Sequence, residues 1–122
     1  MFTSLISAVL LSVSAQPANS DAGAQGSKLS QESKAVLRCS AAFALVSYGQ
    51  SNGDADALKW PDVNTRGREF FVRSMAQMMD ETGLNREGIA DLVGKEAQRL
   101  SDTGEVYTVM PACLVMLDAS GV

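Results

Sequence analysis

The chain has 122 residues, 46% of them hydrophobic, with 10 Lys and Arg against 14 Asp and Glu, a formal net charge of −4 and no histidine. That size fits one domain with a modest core, and the acidic balance argues against sequence-independent nucleic-acid binding and against attraction to an anionic membrane surface. The lack of histidine removes the usual general base, the usual pH switch and the commonest metal ligand.

The first element is a leader. Leu5 to Val13 is an apolar run of the length of a signal-peptide h-region and too short to span a bilayer. Small residues follow it, so residues 1–20 are expected to be a signal peptide cleaved after Ala15 or Ser20, although no Lys or Arg precedes the run. Residues 21–29 read as a flexible spacer, and residues 30–122 as a single helical domain of a periplasmic or secreted protein.

Ser30 is placed as an N-cap with Glu32 in the first turn, and Val36, Cys39, Phe43 and Val46 then recur on one helical face. Ala35, Ser40, Ala41, Ala42, Ala44 and Ser47 keep the rest of that helix small, which suits the centre of a bundle. Tyr48-Gly49 and Asn52-Gly53 end it, and Gln50 to Trp60 reads as a polar loop. A second helix is expected over Asp62 to Thr82 with Pro61 in its first turn. Its buried side is Val63, Phe70, Phe71, Met75, Met78 and Met79, and Gly83 stands just past its end. Asn85 caps a third helix, with Leu84 and Ile89 at hydrophobic-staple spacing and Leu92, Val93, Ala97 and Leu100 inside. Gly88 and Gly94 each weaken it by about 1 kcal/mol relative to Ala unless another backbone packs close there. Met110 to Ala119 is expected as a short fourth helix with Pro111 in its first turn, while Val106 to Val109 is left as extended or helical lead-in.

The two cysteines, Cys39 and Cys113, lie in matching apolar stretches near the two ends of the domain. In an oxidising compartment they pair, closing a long loop and stabilising the fold by about 4 kcal/mol in the chain-entropy model. The fold expected is all-α: a small bundle of about four helices whose first and last members are joined by one disulfide.

Four patterns could carry function. Asn52-x-Asp54-x-Asp56 resembles the opening of an EF-hand loop, but Ala57 replaces the required Gly and Val63 the bidentate Glu, so a solvated turn is the better reading. Met75, Met78 and Met79 put thioethers on one helix face, with Met110 and Met116 elsewhere, and soft sulfur ligands select Cu(I). Adaptable core filling is preferred for them, and no cofactor is expected. Arg66, Arg68 and Arg73 near the start of the second helix are a candidate partner or anion patch, against the alternative of local pairing with Glu69 and Asp62. Thr82 to Gly94 resembles the first half of a helix-turn-helix without a recognition helix after it.

For catalysis the chain offers no Ser-x-x-Lys, no glycine-framed serine and no Cys-x-x-Cys. A non-enzymatic exported protein that binds another protein, as inhibitor, chaperone or accessory subunit, is the expected role. The alternatives are Met-based Cu(I) handling, or carriage of an apolar small ligand between the small-residue helix and the Phe70/Phe71 helix. No nucleic acid or membrane partner is expected once the leader is removed.

Overall fold

The structure, a computed structural model, describes residues 29–122. The expected signal peptide and nearly all of the expected spacer lie outside the described residues; Leu29, the spacer's last residue, is buried.

Helix α1 spans Gln31–Ser51 and begins as its residues dictate, with the Ser30 hydroxyl accepting from the Ser33 N–H at 3.1 Å. Cys39, Ser40, Ala41, Ala42, Phe43, Val46 and Gly49 are all buried along it, and every other helix packs against it. A helix lined by alanine and serine allows close approach from several sides, and α1 is the axis of the bundle. It runs through Gly49 rather than ending there. A Cβ at Gly49 would stand 2.7 Å from that of Ala57, so this glycine is a packing seat for the next segment.

That segment, expected to be a polar loop, holds one helical turn, α2, Ala55–Leu58. Asp54 caps it by accepting from the Asp56 N–H at 3.0 Å, and fully buried Ala57 holds it against α1. Gln50 organises the way out: its Nε2 reaches the carbonyl oxygens of Ala57, Trp60 and Pro61 at 3.1, 3.1 and 2.9 Å. The same side chain accepts the Val63 N–H at 3.4 Å, while Asp62 accepts the Asn64 N–H at 2.9 Å. With those two donors satisfied from outside, α3 starts only at Asn64 and runs to Thr82; Pro61 precedes it instead of occupying its first turn. Gly83 ends α3 at φ 73°, as its position implied.

Helix α4, Arg86–Thr103, is capped by Asn85, which accepts the Gly88 N–H at 2.9 Å, and closed by Gly104. Helix α5 covers Val106–Ala119, so Val106 to Val109, expected as extended or helical lead-in, is helical. With no strand among the described residues to pair with, a helix is the way to satisfy its backbone groups while Val106, Tyr107 and Val109 pack on the core. Pro111 consequently sits inside the helix, on its exposed side, and leaves the Tyr107 carbonyl without its helical donor.

Side-chain links define the arrangement. Helix α3 is antiparallel to α1, since the Ser47 hydroxyl donates to Asn64 Oδ1 at one end and Glu81 accepts from the Ser30 N–H and hydroxyl at the other. Helix α5 starts on the α4 side, where Arg99 pairs with Glu105 at 3.1 Å, and finishes on the α3 side, where Arg66 pairs with Asp118 at 2.8 Å. Between those ends it crosses α1 at the Cys39–Cys113 disulfide, whose Cα atoms are 5.2 Å apart. The fold is therefore the expected all-α bundle, four full helices plus the turn α2 among the described residues, with the first and last clamped.

The core has two parts. The larger surrounds the disulfide and contains Phe43 and Phe70 edge to face at 5.5 Å. The smaller joins Leu29, Met78, Ile89 and Leu92 under the α3–α4 hairpin. None of the described helices is long and apolar enough to cross a membrane.

Candidate functional site

The α1 face that carries Ser40, Ala44 and Ser47 has residues spaced at i, i+4 and i+7, so three small side chains lie in a row. Opposite them α3 contributes Gly67, buried, where an added Cβ would come 2.9 Å from the Cβ of Phe43. Close approach at that point, with nothing bulky on either side of it, leaves a cleft of about 280 Å³ between α1 and α3, bordered on the α4 side by Val93.

Its lining is sorted by depth. Ser40, Phe43, Val63 and Gly67 are buried, Phe71 and Val93 are half-buried, and Ala44, Asn64 and Arg68 are exposed at the mouth. The interior is chiefly aromatic and branched aliphatic, while the mouth carries an amide and a guanidinium one helical turn apart on α3. Among the described residues no carboxylate lines the cleft, and the one formal charge there is the cation of Arg68, in a chain of net charge −4.

Ser40 adds a second feature. It is 3% exposed, and its Oγ is the one buried side-chain polar atom without a hydrogen-bond partner among the described residues. The Oγ is shut off from solvent, so Ser40 borders the cleft without opening its hydroxyl into it, and leaving that hydroxyl unpaired costs about 1–3 kcal/mol.

The three arginines of the anticipated patch separate. Arg66 is committed to the fold, pairing with Asp118 and donating from Nε to the Val122 carbonyl at 3.0 Å. Arg68 and Arg73 have no carboxylate of the described residues within ion-pair distance, and they flank exposed Val72 in a shallow hollow that also includes Glu69. The anticipated Glu69–Arg73 and Asp62 pairs are not formed among the described residues, and Arg66 instead reaches Asp118, 52 positions away on α5.

The methionines are likewise divided. Met75, Met78 and Met79 belong to the smaller core, where Met78 is 1% exposed, whereas Met110 and Met116 lie around the disulfide in the larger one. Among the described residues no three His, Cys, Asp or Glu side chains gather as a metal site. Asp54 serves as a helix cap and Asp56 pairs with Lys59 at 3.2 Å, which gives both carboxylates of the EF-hand-like run a structural partner.

Sequence reasoning named the helix pair that forms the cleft but missed Ser40, Asn64 and Val93 as its lining. The legible signal was the row of small residues on α1 together with a glycine in α3; what hid the site is that α4 supplies its border. Fold and site together define a small disulfide-clamped helical bundle with an amphipathic cleft in its side. Comparison with protein-family models, with curated proteins and with solved structures finds no match to this chain.

Proposed function

We propose that this is an exported, non-enzymatic binding protein that carries a small, largely apolar ligand in the α1–α3 cleft. The observation that carries the reading is the cleft itself, an apolar interior with an amide and a guanidinium residue at its mouth, at the junction of the small-residue helix and the phenylalanine helix. Bundles commonly host ligands between their helices, and ligand sites pair an apolar lining with a few convergent polar groups. Export is supported by the leader-like first residues and by a disulfide, a bond that persists in oxidising compartments. A non-enzymatic role is supported by the lack of histidine and by the engagement of both cysteines in that bond.

Binding to another protein would need a contiguous exposed apolar patch. The large exposed apolar side chains, Tyr48, Leu58, Val72 and Val115, stand on four different helices, which gives that alternative less support.

The test is an amide NMR titration with a neutral aromatic probe, phenylpropanol, on the oxidised protein. Saturable shifts at Ser40, Gly67 and Val93 are expected, and Ala44→Phe, which places a ring at the mouth, should abolish them while the circular dichroism stays helical. Absence of saturable shifts, or shifts indifferent to Ala44→Phe, would refute the reading.

A further inference from the structure

We infer that the ligand is a small monocarboxylate with an apolar body, an inference that rests on the cleft being the binding site. Two features of the cleft point the same way. The first is charge: the lining holds Arg68 and no acidic residue, and Arg68 has no ion-pair partner among the described residues. A free guanidinium presents a planar fork of donors that matches a carboxylate.

The second is the neighbour one turn away. Asn64 accepts the Ser47 hydroxyl at its Oδ1, at 3.1 Å, and its NH₂ donor is unengaged among the described residues. Donors of Asn64 and Arg68 together suit an anion. Behind these donors Phe43, Phe71 and Val93 give the cleft, of about 280 Å³, an apolar interior for the body of the ligand.

The experiment compares two probes by the same titration on the oxidised protein, phenylpropionate and its primary amide. The acid is expected to bind about tenfold more tightly than the amide, with Arg68→Gln erasing that ratio. If acid and amide bind equally in the cleft, the carboxylate assignment falls while the cleft remains the site. If neither probe shifts Ser40, Gly67 or Val93, the cleft itself is not a binding site and the whole reading is overturned.

Discussion

Two glycines test the packing that creates the cleft. Gly94 lies inside α4, exposed, and a Cβ there would meet nothing within 4 Å. Gly94→Ala should therefore gain the full helical preference of alanine over glycine, about 1 kcal/mol. For a domain of this size that raises the melting temperature by roughly 4–8 °C. Gly67→Ala, inside α3, gains the same preference, but its Cβ would stand 2.9 Å from the Cβ and 3.4 Å from the Cγ of Phe43. A Cβ is fixed to its backbone and cannot swing aside, so relief requires α1 and α3 to separate or Phe43 to leave its contact with Phe70. Overpacking of this kind costs about 1–3 kcal/mol, which offsets the helical gain and places the two variants about 2 kcal/mol apart in opposite directions. Thermal melts followed by circular dichroism, with the disulfide kept oxidised, measure both. Equal stabilisation of the two variants would mean that α1 and α3 are not in close contact at Phe43, and the cleft that depends on that contact would lose its basis.

Other expectations follow from the remaining contacts. Replacing both cysteines by alanine, or reducing the disulfide, opens a loop with a sequence separation of 74 and should cost about 4 kcal/mol, seen as a large drop in the urea midpoint; an unchanged midpoint would refute the clamp. The Glu81 carboxyl sits below its ordinary value of 4.5, held there by hydrogen bonds from Ser33 and then from Ser30. Because the folded value is the lower one, its contribution is fully present above 4.5 and is lost as pH falls through the folded value, so Glu81→Gln should flatten the acid limb of a melting-temperature profile. Gln50→Ala removes the bonds to three loop carbonyls and should destabilise by about 1–3 kcal/mol. The fluorescence of Trp60, the single tryptophan, should report it, because Trp60 stacks on Tyr107 at 6.4 Å in the region that Gln50 ties down; a spectrum and stability like the parent's would count against that role.

Local chemistry made much of the bundle legible from residues alone. Ser30, Asn85, Gly83 and Gly104 each mark a helix end through their own backbone or side-chain preference, and the structure has them capping there. Helical periodicity located Cys39, Phe43 and Val46 on a buried face, and the isolated pair of cysteines in apolar stretches named the clamp. Those signals act within a few residues, or through the one covalent bond two cysteines can make.

Whatever depended on a distant partner could be settled only by tertiary structure. Gly49 looks like a helix terminator until Ala57 packs on it, and Pro61 looks like a first turn until Gln50 and Asp62 take the backbone donors around it. Val106 to Val109, whose local composition fits extended or helical backbone, become helical because no strand stands beside them among the described residues and a core is there to receive them. Arg66 is tied to Asp118 while Arg68 has no ion-pair partner among the described residues, a distinction no local spacing encodes, since it follows from where α5 lands after crossing α1. The cleft has the same origin: small residues on α1 and Gly67 on α3 are visible in the chain, but a void exists only where three helices meet and none supplies a side chain to fill it.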